Sequence, residues 1–201
     1  MSGAFRPATV VLAALLAASP AFAAAPSRDA PARSAPHWTV DAAKSKLGFT
    51  VQWSGQPFNG TFKSWKANIA FDPNDLEYSS ADVVIDMESV TSGDEETDDG
   101  VKGAQGFQTN RFATARFTTI MIAHKSGNDY VANARLTIRG IARQVTLPFT
   151  LTFAGNSAHM VGQTVVSRMD FGIGQGGDFS KPAPVAYQVA VKVDLTATKA
   201  P

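Results

Sequence analysis

A chain of 201 residues with 18 basic and 17 acidic side chains, three histidines and no cysteine excludes several classes at once. At roughly 100–200 residues per domain it is expected to form one domain with a self-sufficient core, without disulfide scaffolds, thiolate zinc sites or cysteine nucleophiles. Balanced charge also excludes the basic face with which nucleic-acid binders displace counterions from phosphates, leaving a near-neutral chain that is 44% hydrophobic and holds 13 phenylalanines.

Met1 to Arg6 carries one positive charge, residues 8–18 form an almost unbroken apolar run, and Ala21-Phe22-Ala23 sets small residues around a bulky one. That is the plan of a secretory signal peptide over residues 1–23, cleaved after Ala23. A membrane anchor would need about 20 apolar residues and would have to run through Ser19 and Pro20. No cysteine follows the run to accept a lipid, and loss of Arg6 leaves 17 basic residues against 17 acidic ones. Residues 24–36 are rich in Ala, Pro, Ser and Arg, with no aromatic residue and no periodicity. They read as a flexible linker, and the folded domain is expected over residues 37–198.

From Trp38 onward apolar residues recur at every second position, the period that puts them on one face of a pleated strand. Leu47, Phe49, Val51 and Trp53 alternate with small or polar residues, as do Tyr130 to Ile138, Val145 to Phe153 and Tyr187 to Leu195. One apolar and one wet face per strand is the mark of antiparallel sheets. Nine strands are predicted, over 38–41, 46–54, 61–72, 81–90, 115–124, 130–139, 144–153, 158–171 and 185–198. Asn59-Gly60 is read as a two-residue hairpin turn, and 126–129 and 154–157 as further turns. A bulge near Lys63-Ser64 would reconcile the even parity of Phe62 with the odd parity of Trp65, Ile69 and Phe71. Only residues 97–106 look helical. The expected fold class is all-β: an antiparallel up-and-down barrel of about eight strands with one short helix, since closure removes exposed edges. Such a barrel is either filled by its own side chains or holds one slender ligand, and from the pattern alone a filled core is the default.

No motif demands catalysis. Gly172, Gly174 and Gly177 satisfy GxGxxG, but residues 178–184 with Pro182 and Pro184 cannot supply the helix that would face a pyrophosphate, so a loop is expected. The acidic cluster Asp94, Glu95, Glu96, Asp98 and Asp99 puts Asp99 where a calcium loop needs glycine and Gln105 where it needs Glu; it reads as a solvated loop opening a helix. His37, His124 and His159 lack the spacing of a helical zinc site. There is no GxSxG elbow, Asn59-Gly60-Thr61 is a formal glycosylation sequon, and Arg168 and Asp170, flanking Met169 on one strand face, are expected to pair across to another strand as structural ion pairs.

The blocks then fall into one order: Trp38-Thr39-Val40-Asp41, Ser45 to Phe49, Gly60-Thr61-Phe62, Ile69 to Asp72, Val84 to Val90, Ala115-Arg116-Phe117, Leu136 to Phe149, Arg168 to Gly174 and Val191 to Leu195. This series resembles the YceI-like proteins, exported lipocalin-like barrels known as polyisoprenoid-binding proteins. The resemblance implies a periplasmic protein, an extended antiparallel barrel and one long apolar tunnel for the chain of an isoprenoid quinone or polyprenyl lipid. Some relatives look like partners of cytochrome b561, which would make a quinone a sensible ligand and such a membrane protein a partner. A homodimer would use an exposed apolar edge, though no residue marks one. Relatives usually carry an Asp-x-His-Leu type segment, an aromatic pair and a Tyr-Pro or Phe-Pro where this chain has residues 98–101, Phe107 and Phe112-Ala113. Many also have a Glu-Trp stretch where this chain has Gly177-Asp178-Phe179. Both departures fall where a barrel mouth or lid would lie.

Phe49, Val51, Trp53, Phe62, Ile85, Phe117, Leu136, Ile138, Leu147, Phe149 and Leu151 are the residues expected to face the interior, some of them lining the ligand channel. No catalytic residue, catalytic cofactor or metal is expected. The other readings are a ligand-free structural or stress-response module with a packed core and, weakest, an exported hydrolase.

Overall fold

The computed structural model describes residues 34–201. The expected signal peptide and most of the expected linker lie outside the described residues. The linker's last two residues are packed: Ala35 is 4% exposed, and the Pro36 carbonyl accepts a hydrogen bond from Phe71 N at 2.9 Å.

Eleven strand segments and one α-helix follow in order: β1 (His37–Val40), β2 (Lys46–Trp53), β3 (Gln56–Phe62), β4 (Trp65–Ala70), β5 (Ser80–Asp86), β6 (Val90–Thr91), α1 (Glu95–Lys102), β7 (Thr114–Ser126), β8 (Asp129–Ile138), β9 (Ile141–Ala154), β10 (Ser157–Ser167) and β11 (Val185–Lys199). Six of the segments are halves of kinked strands. β1 pairs with β4 as β2 pairs with β3, and β4 pairs with β5 as β3 pairs with β6. The segments therefore make eight long antiparallel strands in sequence order. The ring closes because β11 pairs with both β2 and β1. This is the up-and-down barrel that the alternating pattern predicts.

Four local expectations are corrected. Asn59-Gly60 is not a turn but lies inside β3, where Gly60 pairs with Phe49. Glycine is needed there because a Cβ would sit 2.4 Å from the Phe49 ring. The hairpin turn is Ser54-Gly55, with φ of 49° and 79°, the double positive φ that matches strand twist. Lys63-Ser64 is a corner rather than a bulge: it ends β3, which pairs with β2, and starts β4, which pairs with β1. The helix begins earlier than expected, because the Asp94 carboxylate accepts from Thr97 N at 2.8 Å and caps it. The final stretch of the predicted 158–171 strand is a 3-10 turn over Arg168–Phe171.

Strand direction sorts the connections into two ends. One end gathers Ser54-Gly55, the Arg139-Gly140 turn, α1 with residues 103–113, and residues 172–184. The other gathers Gly127-Asn128, Gly155-Asn156 and residues 72–79. We call them the lid end and the plug end.

Candidate functional site

The barrel interior holds two cavities. The larger, of about 500 Å³, lies under the lid end and is lined by β2, β3, β11, the 100–107 segment and the 168–179 segment. The smaller, of about 170 Å³, lies toward the plug end among Trp38, Trp65, Phe71, Phe117, Leu147, Leu151 and Phe153. All eleven residues read as inward-facing from the sequence line one cavity or the other. Phe49, Val51, Trp53, Phe62 and Ile138 face the larger; Phe117, Leu147, Phe149 and Leu151 face the smaller; Ile85 and Leu136 face both. Strand alternation explains this, since a period of two sends every second residue inward. Trp53, at the hairpin tip of the lid end, is 38% exposed and forms part of the rim. An outward-facing groove of about 820 Å³ over β8 to β11, β2 and β3 is edged by Lys46, Lys125, Lys192, Asp129 and Asp194; its wet rim makes it a poorer place for an apolar guest.

The lid end is assembled from the helix outward. Asp98 of α1 accepts from Ser92 N at 2.6 Å and Ser92 Oγ at 2.7 Å. Hydrogen bonds from the Thr91 and Ser92 hydroxyls and the Ser92 N–H hold its carboxyl below the usual carboxylate range. After α1 the chain doubles back, with Phe107 N donating to Val101 O at 2.7 Å. Only glycine fits at 106, where a Cβ would lie 1.9 Å from that carbonyl. The fold-back drops Phe107 into the barrel mouth, its ring 6.0 Å from Phe49 and 5.9 Å from Phe62.

Two arginines fasten this end. Arg139, at φ 52° in the β8–β9 turn, donates to Gly106 O at 3.0 Å and Gly172 O at 2.6 Å, and to Gln108 Oε1 at 3.2 Å. Arg168, 4% exposed, corrects the expected cross-strand ion pair. Its guanidinium donates to the carbonyls of Ala186, Ile173, Gly174, Phe179, Lys181 and Val185 at 2.6–3.1 Å. It also lies 5.3 Å from the Tyr187 ring centroid. A guanidinium has five N–H donors, and these contacts engage every one of its nitrogens. Burial lowers the pKa of both guanidiniums, with Arg111 adding to the effect at Arg139.

The GxGxxG stretch is the loop that wraps Arg168. Gly172, Gly174 and Gly177 all have positive φ, and a Cβ on Gly174 would fall 2.3 Å from Arg168 Nη1. Sequence reasoning missed Arg139 and Arg168 because their partners are backbone carbonyls, which no residue pattern marks. Residues 98–113 and 177–179 both belong to this end, and Phe107 and Phe179 line the larger cavity.

His124 Nε2 contacts Gly127 O at 2.9 Å, and His159 pairs with Asp194 at 2.8 Å on the surface. Among the described residues no cluster of three or more His, Asp or Glu is placed to hold a metal ion.

Comparison with known proteins places this geometry. Residues 38–197 match the YceI-like domain family. A UPF0312 protein of Vibrio vulnificus is 25% identical over 151 residues, covering 71% of this chain and 80% of its own. The crystal structure of BcnA from Burkholderia cenocepacia is similar with a TM-score of 0.76 at 34% identity, over 79% of this chain and 99% of that one. A polyisoprenoid binding domain from Saccharophagus degradans, implicated in plant cell wall breakdown, shares the fold with a TM-score of 0.63 at 16% identity, over 82% of this chain and 99% of that one.

Proposed function

The chain belongs to the YceI-like family, and on that premise we propose that it is an exported protein that holds an isoprenoid lipid or isoprenoid quinone inside its barrel for carriage or storage in the periplasm. The observation that carries the reading is the chemistry of the interior. Two cavities are walled almost wholly by apolar side chains, and among the described residues no buried side-chain nitrogen or oxygen lacks a hydrogen-bond partner. A hydrocarbon chain placed there gains about 0.8 kcal/mol per CH₂ removed from water. A polar head group would find no free partner in the interior and would lose its hydration, so the head is assigned to the rim near Trp53 and the chain to the interior. The polyisoprenoid binding assigned to the Saccharophagus degradans domain, on the same fold, supports the choice of guest.

Export rests on the signal-like pattern of residues 1–23. A quinone guest suits a cytochrome b561-type membrane protein as partner, and a homodimer through an exposed apolar edge is the other proposed association. The ligand-free module fits less well, because packed cores contain few voids larger than a water molecule.

The test uses the tryptophans that line the cavities. Delipidated protein titrated with ubiquinone should show saturable quenching of tryptophan emission. An unchanged spectrum throughout the titration would argue for the ligand-free module.

A further inference from the structure

Four residues, Leu47, Ile85, Leu136 and Val191, face both cavities. They lie on β2, β5, β8 and β11, which are the first, third, fifth and eighth long strands of the closed ring, so they converge from around the barrel wall. All four are aliphatic and carry no polar group that could bind them to one another. What distinguishes them from an ordinary core is what lies behind them. In a packed interior a displaced side chain meets other atoms; each of these four borders a void on two sides. A change of rotamer can therefore open a way between the cavities without moving a strand.

We infer that Leu47, Ile85, Leu136 and Val191 form a waist that sets how far a hydrocarbon chain reaches into the barrel, and so make the protein selective for chain length. The inference rests on the proposed isoprenoid binding and deepens it. A short prenyl chain is accommodated in the larger cavity alone and leaves the waist shut. A long chain must displace the four side chains to use the smaller cavity. Leu136 is the residue to alter, because it comes from β8, which is paired along its length with β7 and β9, and is buried from solvent.

The tryptophans report separately on the two chambers. Trp53 lines the larger cavity, while Trp38 and Trp65 line the smaller. Two reporter forms of the full mature protein, one carrying Trp53→Phe and the other Trp38→Phe with Trp65→Phe, are delipidated and titrated with the short prenol farnesol and the long prenol solanesol. Farnesol should change the emission of Trp53 alone, and solanesol should change both sets. Leu136→Phe should leave farnesol binding intact and weaken solanesol by about tenfold or more, whereas Leu136→Ala should let farnesol reach the plug-end tryptophans. Because Phe at 136 could disturb folding, the Leu136→Ala result stands as an independent arm.

Equal loss of both prenols in Leu136→Phe, or equal response of both tryptophan sets to farnesol in the unaltered waist, would overturn the inference while leaving isoprenoid binding in place. Failure of both prenols to bind the reporter forms and the wild-type protein would overturn the functional reading, and the waist with it.

Discussion

At the plug end Trp38, Phe71, Tyr130, Phe149 and Phe153 pack on one another, with Tyr130 5.5 Å from both Phe71 and Phe149 and Trp38 Nε1 donating to Phe71 O at 2.9 Å. At the lid end Phe49, Phe58, Phe62, Phe107 and Trp53 are as numerous, yet they ring a cavity of about 500 Å³. The difference lies in what joins the strands. Short turns at the plug end bring the strand ends together, and aromatic rings meet across the barrel. The lid end is held by α1, two loops and two arginines, whose hydrogen bonds go mainly to the carbonyls of those loops. Similar aromatic content thus leaves about 170 Å³ at one end and about 500 Å³ at the other. The plug end supplies stability, and the lid end supplies the room that a guest would use.

Substitutions should separate the two ends. The largest expected effect is at the plug: Phe71→Ala removes a buried ring that touches two other aromatics and should cost about 4 kcal/mol in denaturant unfolding. A loss near that of a half-buried residue would mean that the plug is not the stable end. Arg168→Lys comes next. An ammonium has three donors and cannot reach six carbonyls, so buried acceptors are left unpaired and about 3 kcal/mol is lost. Hydrogen exchange should localise the damage to residues 172–184 and the start of β11, sparing the β9–β10 hairpin at the plug. Phe107→Ala is smaller, about 1 kcal/mol, because the half-buried ring already borders open space. It should nevertheless weaken quinone binding more than Phe71→Ala does when both are measured on folded protein.

The smallest effect is pH-dependent and confined to the lid. The Asp94 carboxyl is held below the usual range by hydrogen bonds from the Thr97 hydroxyl and N–H, and Asp98 by those from Thr91 and Ser92. Lowered folded-state values mean that this support is present at neutral pH and is lost as pH falls through those depressed values. Amide protection in α1, relative to the intrinsic exchange rate at each pH, should therefore be lost in acid before that of β8 to β10 is. Equal loss of protection at both ends would contradict the assignment.

How much of this was legible in the sequence follows the same division. Leu136, Leu147 and Phe149 could be turned inward because a strand's period of two is visible in any run of alternating residues. The closed ring followed from the number and length of such runs. The lid end obeyed other rules. Gly60 looked like a turn residue, but its lack of a side chain serves the Phe49 ring across the strand pair. Ser54-Gly55 carried the real turn. Lys63-Ser64 looked like a bulge because parity shows that a strand changes register without showing that it changes partners. Arg168 sat beside an acidic residue and looked paired, yet its acceptors are backbone carbonyls drawn from residues 173–186. The division of the interior into two chambers was likewise hidden, because Leu47 and Leu136 differ from other inward leucines only in what lies behind them.

The central claim is that the space beneath the lid holds an isoprenoid chain. The most direct measurement is mass spectrometry of the organic extract of protein purified from its native compartment. The account predicts a prenyl lipid or isoprenoid quinone recovered in near-stoichiometric amount. Repeated recovery of none, from protein that also takes up no added quinone, would contradict it.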